Sequence, residues 1–113
     1  ERYGFEGAMT RALDALAQKC RKVFVHIDTD VLDPSVLRAN THAADGGLTD
    51  EQVKRGLALI AERFEILAVS FASFDPQVDP RGKSVLVPLI VTAALASADS
   101  RRRHPAGGNG EPA

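Results

Sequence analysis

Two short apolar runs, each followed by a polar loop with an Asp-Pro pair, constrain the fold of this chain most. The runs cover residues 23–27 and 66–71 and have few polar interruptions. Near-continuous apolarity over so few residues is typical of strands covered on both faces, as in a parallel sheet. We therefore predict two buried strands.

Three amphipathic helices are predicted around these strands. The first spans residues 4–19, and the second follows a capping box over residues 49–52, where the Thr49 hydroxyl can accept from a free amide. The third carries Pro88, which is tolerable only in a first turn, and its apolar face comprises Leu86, Leu89, Ile90, Ala93 and Ala94. This order of elements predicts an α/β fold with parallel strands joined by right-handed crossovers.

The predicted strands are too few for an independent sheet of this type. The chain has 113 residues, room for one small domain, and it opens at Glu1 without Met or an apolar leader. We therefore expect the missing strands to come from upstream sequence or from another chain, with residues 1–98 being part of a larger domain truncated at its N-terminal side. Residues 99–113 are rich in Ser, Arg, Pro and Gly, which predicts a disordered tail.

Charge and cysteine content narrow the function classes. The 14 basic and 15 acidic residues give a formal net charge of -1, and the basic side chains are scattered. This pattern predicts neither a nucleic-acid partner nor a membrane partner, and the apolar stretches are too short or interrupted to span a bilayer. Cys20 is the single cysteine, which favours a reducing, cytoplasmic location and a packing role for that side chain.

The polar residues directly after the first apolar run indicate a cation site. Ligands of open α/β sheets bind beyond the carboxyl ends of the strands, where Asp28 falls. Asp28 and Asp30 can point to one side if the backbone stays extended. Two such carboxylates repel each other unless a cation lies between them, and hard oxygen ligands favour Mg²⁺, Mn²⁺ or Ca²⁺. The alternative is a solvated acidic loop in which Asp33 caps a turn.

The motif Asp28-Thr29-Asp30-Val31-Leu32-Asp33-Pro34, followed by Gly46-Gly47-Leu48-Thr49, resembles the signature of the ureohydrolase family of arginases, agmatinases and formimidoylglutamases. The loop length, the strand before it and the capped helix after it match as well. The resemblance therefore covers about residues 4–98 and implies the C-terminal portion of a ureohydrolase-like domain. It also implies a three-layer α/β/α sandwich with a parallel sheet that holds two Mn²⁺ ions at its strand ends.

The same resemblance implies a metal-dependent hydrolase. Asp28 would bridge the two Mn²⁺ ions and Asp30 would bind one, with other ligands from an upstream His and an Asp-x-His-x-Asp cluster that these residues lack. In this family the ions lower the pKa of water for attack on a linear amidine or guanidine carbon. A small guanidino or formimino compound is thus the expected substrate, and the chain alone is expected to be inactive. Family members often form homo-oligomers, so the resemblance also allows one here.

The second strand end departs from the family pattern. The usual Asp-x-x-Glu-x-Asn-Pro is replaced by residues 70–76, with Ser70 and Ser73 in place of Asp and Glu. A carboxylate can hold a guanidinium bidentately and a hydroxyl cannot, so guanidinium binding should weaken by roughly 2–5 kcal/mol in a dry site. We predict substrate contacts from Ser73 and from Asp75, a candidate substitute for the missing carboxylate.

Two histidines are further candidates. His42 lies in a loop that departs from the Pro- and Gly-rich stretch of the family, and it is a candidate substrate contact or proton shuttle. His26 stands where the family usually has Ser, and it is a candidate support for a metal ligand. A solvated loop histidine and a core histidine are the respective alternatives.

Two other functions compete with the hydrolase. Ser70 and Ser73 are compatible with a metal-binding relative that has no turnover. Residues 23–30 also resemble the opening of haloacid-dehalogenase-type phosphatases, in which the first Asp is a nucleophile. Against the phosphatase, Gly-Thr-Leu does not follow Asp30, and no acidic pair follows the candidate Lys83.

Overall fold

The computed structural model describes residues 4–83 and, beyond them, residues 88, 91, 92, 95, 96 and 99. Its elements are helix α1 (Gly4–Ala17), strand β1 (Lys22–Asp28), a 3-10 turn (Thr29–Val31), helix α2 (Asp50–Arg63) and strand β2 (Glu65–Ala72). The six residues beyond 83 are all helical, Pro88 among them. The predicted α/β class and the order of elements are confirmed over this part of the chain.

Strands β1 and β2 pair in parallel, which brings their carboxyl ends to one edge of the sheet. His26 lies opposite Ser70, and Asp28 lies opposite Ala72. The register shifts between Val23 and Phe24. Parallel neighbours need a crossover connection, and α2 provides it, so residues that follow both strands can meet.

The start of α2 confirms the predicted capping box. Thr49 Oγ1 accepts a hydrogen bond from the backbone N–H of Gln52 at 3.1 Å. The backbone N–H of Thr49 in turn donates to Gln52 Oε1 at 2.9 Å. A side-chain cap of this kind stabilises a helix by about 1 kcal/mol, so these two residues define where α2 begins after the long loop.

One face of the sheet carries the core. Val25 and Ile27 of β1 pack there against Leu57 of α2 and against Val91. A second cluster, in which Leu13, Leu59 and Phe64 are buried, joins α1 to α2. Cys20 packs against the second cluster, in agreement with its predicted packing role.

The other face of the sheet is exposed, which corrects the prediction that both strands are covered on both sides. Phe24 is 62% exposed and Leu67 is 61% exposed, and exposed and less exposed residues alternate along most of β1. The physical reason is that the helical residues packed against β1 and β2 contact the core face. Phe24, His26 and Asp28 thus lie on a face that no described element covers.

The loop between β1 and α2 has a small core of its own. Leu32, Leu37 and Ala39 are buried together. Leu48 runs parallel to Leu32: its N–H donates to Val31 O at 2.8 Å, and its carbonyl accepts from Asp33 N at 2.9 Å. The first part of the predicted long loop is therefore packed around its own apolar side chains.

The predicted face of the last helix (Leu86, Leu89, Ile90, Ala93 and Ala94) lies outside the described residues. Val91 and Leu95 are described, and both pack on the core face of the sheet. Asp99, the first residue of the predicted tail, is helical, while residues 100–113 also lie outside the described part. None of the helices described is long and apolar enough to cross a membrane.

The two glycines of the Gly46-Gly47 pair have different structural roles. Gly46 has a φ of +88°, with open space around the position of a Cβ atom. A Cβ on Gly47 would lie 2.5 Å from Asp33 N, 2.7 Å from Leu32 C and 2.8 Å from Val31 O. A glycine is thus needed at position 47, because the backbone of residues 31–33 lies where a Cβ atom would be.

Replacing Gly47 with Ala is expected to lower the free energy of unfolding by about 2 kcal/mol, because backbone atoms must move apart. Replacing Gly46 with Ala is expected to cost about 1 kcal/mol, because only its left-handed conformation becomes unfavourable. Urea-induced unfolding of both variants measures the difference. Equal losses in the two variants would contradict the close approach at Gly47.

Candidate metal centre

Asp28, the last residue of β1, connects the ends of the two strands. Its Oδ1 accepts a hydrogen bond from Ser73 Oγ at 2.8 Å, and Ser73 directly follows β2. The same oxygen lies 3.2 Å from Nε2 of His26, and the side chains of His26 and Asp28 are each about half exposed. The structure therefore places two of the residues predicted from sequence, Asp28 and Ser73, in direct contact.

Asp30 reaches this edge by a different route from the one predicted. It lies in the 3-10 turn, so the backbone does not stay extended after Asp28, and the condition on which the prediction from alternate spacing depended is not met. Instead, Asp30 Oδ2 accepts from Asn40 Nδ2 at 3.1 Å. The same amide nitrogen donates to the carbonyl of Ser73 at 2.6 Å, which ties Asp30 to the strand-end group.

Asn40 is a residue of the site that sequence reasoning missed. It is only 9% exposed, and both hydrogens of its amide are used, one on Asp30 and one on Ser73. Its Oδ1 accepts from the backbone N–H of His42 at 2.8 Å. An Asn in an irregular loop usually signals a turn, so nothing local distinguishes this one. Its partners are visible only in the folded chain.

Thr29 is a second missed residue. It is 2% exposed, and its hydroxyl donates to the carbonyl of Ala72, the last residue of β2, at 3.0 Å. The next residue, Ser73, has a φ of +68°, a left-handed conformation that costs a non-glycine residue roughly 1–2 kcal/mol. Bonds from Thr29 and Asn40 to successive carbonyls hold the chain in this conformation.

His42 and Asp75 lie beside this group with different contacts. His42 is exposed, and its hydrogen bond to Asn40 involves the backbone, so its predicted substrate contact stays a prediction. Asp75 Oδ1 accepts from Gln77 N at 2.8 Å, and its own N–H donates to Ala39 O at 2.8 Å. The Asp75 carboxylate thus organises the turn after β2, and in the described part of the chain it makes no hydrogen bond to Asp28.

Asp33 organises the loop between the two motifs. Its carboxylate accepts from the hydroxyl of Ser35 at 2.6 Å and from the backbone N–H groups of Ser35 and Gly46, each at 2.9 Å. The Ser35 hydroxyl is the main cause that lowers the pKa of Asp33 below its ordinary value, and backbone N–H groups contribute further. The capping role considered for Asp33 is therefore present beside the candidate metal ligands.

The lowered pKa of Asp33 predicts a change in acid stability. A carboxyl group with a folded pKa below its unfolded value of about 3.9 stabilises the fold above that pH. The stabilisation is lost as the pH falls through the lower folded pKa. We expect the stability difference between wild type and Asp33→Asn to be constant from pH 7 to about pH 5 and to shrink below about pH 4. Urea unfolding across this range measures it, and a constant difference down to pH 2 would contradict the prediction.

The free carboxylate oxygens fit a hard cation. Within the described part of the chain, neither Oδ2 of Asp28 nor Oδ1 of Asp30 accepts a hydrogen bond. Carboxylate oxygens are ligands that Mg²⁺, Ca²⁺ and Mn²⁺ prefer. No group of three or more His, Cys, Asp or Glu side chains able to hold a metal ion occurs among the described residues. Asp28 and Asp30 therefore belong to no such group within the described part of the chain.

Comparisons with known proteins identify the family and the fold of this chain. The model of the arginase family matches residues 1–97. The arginase from Bacillus caldovelox is 26% identical with a TM-score of 0.73, and the match covers 83% of this chain and 31% of that one. The formimidoylglutamase from Bacillus subtilis subsp. subtilis str. 168 is 20% identical with a TM-score of 0.77, covering 88% and 31%. Proclavaminate amidino hydrolase from Streptomyces clavuligerus is 22% identical with a TM-score of 0.68, covering 88% and 32%.

No curated protein sequence matches the chain significantly. The chain spans about a third of the length of the solved relatives. The family match includes residues 23–30, on which the phosphatase alternative depends, so that alternative loses its basis. Together, the matched segment, the parallel strand pair and the motif at its edge show that this chain belongs to the arginase family.

Proposed function

We propose that the complete protein is an Mn²⁺-dependent hydrolase of linear amidine or guanidine C–N bonds, and that this chain contributes Asp28 and Asp30 as metal ligands. The observation that carries the proposal is the placement of both carboxylates at one sheet edge, each with a free oxygen. Two ligands do not complete a site, so the remaining ligands would come from another part of the protein.

The residues around the two carboxylates have distinct tasks in this proposal. Ser73 and His26 occupy one oxygen of Asp28, and Asn40 occupies one oxygen of Asp30. Each aspartate thus presents its other oxygen in a defined orientation. Bound Mn²⁺ would supply Lewis acidity and lower the pKa of water, while this chain's residues hold the ligand carboxylates and line the sheet edge.

The residues at the end of β2 affect which substrate can bind. The proposed substrate is a small guanidino or formimino compound. A guanidinium approaching this edge would meet the hydroxyls of Ser70 and Ser73, which already hydrogen-bond His26 and Asp28. A neutral hydroxyl attracts a guanidinium less strongly than a carboxylate does. We therefore propose weak binding of strongly basic guanidino compounds.

The same contacts favour a second candidate function, a metal-binding relative without turnover. Ser73 uses its hydroxyl to support Asp28, and Asp75 uses its carboxylate in a turn. Of the two predicted substrate contacts after β2, Ser73 offers no carboxylate and Asp75 uses one carboxylate oxygen in a turn. In this alternative, Mn²⁺ binds but amidine hydrolysis does not occur.

Mn²⁺-dependent release of urea or ammonia by the complete protein distinguishes the two candidates. The substrate panel should contain guanidino and formimino compounds, and the bound Mn²⁺ should be measured on the same sample. Turnover on any panel member supports the hydrolase and identifies its substrate class. Bound Mn²⁺ without turnover supports the second candidate, and a protein that binds no Mn²⁺ contradicts both.

A further inference from the structure

We propose that His26 is a positioning residue that orients Asp28 toward its cation, and that Ser70 holds the imidazole ring of His26 for this task. The inference rests on the proposed function, since it takes Asp28 as a metal ligand. It goes beyond that function by assigning a role to a histidine and a serine that stand where the family pattern has other residues.

The contacts of His26 determine which ring nitrogen carries the hydrogen. Nε2 lies 3.2 Å from Asp28 Oδ1, and Nδ1 lies 2.6 Å from Ser70 Oγ. An ionised carboxylate only accepts hydrogen bonds, so Nε2 must donate. In a neutral ring Nδ1 is then an acceptor, and the Ser70 hydroxyl donates to it. The two contacts together set the tautomer and the orientation of the ring.

Backbone pairing builds this arrangement. His26 and Ser70 are directly opposite in the parallel ladder, and Asp28 follows two residues later on β1. Side chains at such positions point to the same face of a sheet. Because all three residues lie on paired strands, the Ser70–His26–Asp28 chain is held by the sheet rather than by a loop.

The exchange of residues across the ladder supports the same role. The family that this sequence resembles usually has Ser at the position of His26 and Asp at the position of Ser70. In this chain the two residues form a hydrogen bond between the strands, with Nδ1 of His26 2.6 Å from Ser70 Oγ. The exchange adds a second ring nitrogen that reaches Asp28.

The consequence for the cation site is a fixed carboxylate. His26 Nε2 and Ser73 Oγ both donate to Oδ1 of Asp28, so Oδ2 is left for a cation. Partners that orient a metal ligand in this way typically contribute 10–100-fold to metal affinity. The His26 contact is longer than the Ser73 contact and half exposed, so we expect the lower end of that range.

Mn²⁺ affinity of the complete protein tests the role of His26. His26→Ala is expected to weaken Mn²⁺ binding about 10-fold, measured by the electron paramagnetic resonance signal of free Mn²⁺. His26→Gln is expected to recover most of the affinity, because a side-chain amide N–H can replace Nε2–H as donor. Lys22→Gln, an exposed change on the same face of β1, is the matched control and should bind like wild type.

A second readout does not depend on the metal. Nitrogen-15 NMR of metal-free protein with labelled histidine is expected to show His26 as the Nε2–H tautomer, assigned by the signal lost in His26→Gln. Ser70→Ala should shift that signal, because Nδ1 loses its donor. Circular dichroism of each variant checks that the fold is retained.

The outcomes separate the two proposals. If wild type binds Mn²⁺ and His26→Ala binds it with equal affinity, the role of His26 is overturned but the proposed function is not. An Nδ1–H tautomer has the same consequence. Wild type that binds no Mn²⁺ overturns the proposed function and the orienting role that rests on it. Weakened binding in His26→Ala, recovery in His26→Gln and the Nε2–H tautomer together support the inference.

Discussion

Replacing Asp28 with Asn is expected to lower the Mn²⁺ affinity of the complete protein at least about 100-fold, since losing only an outer partner of a ligand already costs 10–100-fold. The amide oxygen can still accept from His26 and Ser73, which both donate to Oδ1 in the native site. The amide nitrogen then takes the place of the free Oδ2. Because an amide N–H donates and carries no negative charge, it cannot bind a cation. Mn²⁺-dependent hydrolysis should be lost together with the metal.

The matched control for this variant is Asp45→Asn. Asp45 is an exposed residue of the loop that follows β1, so the change removes one negative charge without removing a candidate ligand. Titration of both variants with Mn²⁺ separates ligand loss from a general loss of charge. An Asp28→Asn protein that binds Mn²⁺ within about threefold of wild type would show that Asp28 is not a ligand.

Replacing Ser73 with Glu is expected to lower the KM for a guanidino substrate by about 5-fold. That factor corresponds to about 1 kcal/mol, the upper end of the range for a solvent-exposed ion pair. The physical reason is that a carboxylate beside Asp28 can hold a guanidinium with two parallel hydrogen bonds. Ser73 is exposed in the described part of the chain, which is why the range for an exposed pair applies. Steady-state kinetics on a guanidino compound that wild type turns over, however weakly, measures the change.

Ser73→Gln separates charge from the other effects of the substitution. Glu and Gln have the same length, both remove the hydroxyl that supports Asp28, and both must adopt the φ of +68° found at this position. The difference between the two variants therefore reports the carboxylate alone. Equal KM values in Ser73→Glu and Ser73→Gln would show that this position does not contact the guanidinium.

Features set by neighbouring residues were predicted well. The capping box of α2 follows from Thr49 and Gln52, which bond to each other across one helical turn. The two strands follow from runs of apolar residues, and their observed bounds differ from the predicted ones by a single residue at each end. The alternation of helix and strand then predicts a parallel sheet, which the pairing of β1 with β2 confirms, while the site at its carboxyl edge stays a prediction.

Features set by distant residues were not predictable. Asp30 leaves the extended path and is held by Asn40, whose amide also reaches Ser73 across 33 positions of sequence. The exposed face that carries Phe24 was predicted to be buried, because apolarity alone does not show which layer covers a strand. Likewise, the contacts of Ser70 with His26 and of Ser73 with Asp28 join residues 44 and 45 positions apart.

The sequence by itself therefore determined the helices, the strands, the motif Asp28-Thr29-Asp30 and its position at the end of a strand. These depend on periodicity, caps and spacing within one or two turns of chain. Only the tertiary structure decided which side chains surround Asp28. That choice depends on the register of β1 against β2, since a shift of one residue would turn Ser70 to the opposite face of the sheet and separate it from His26.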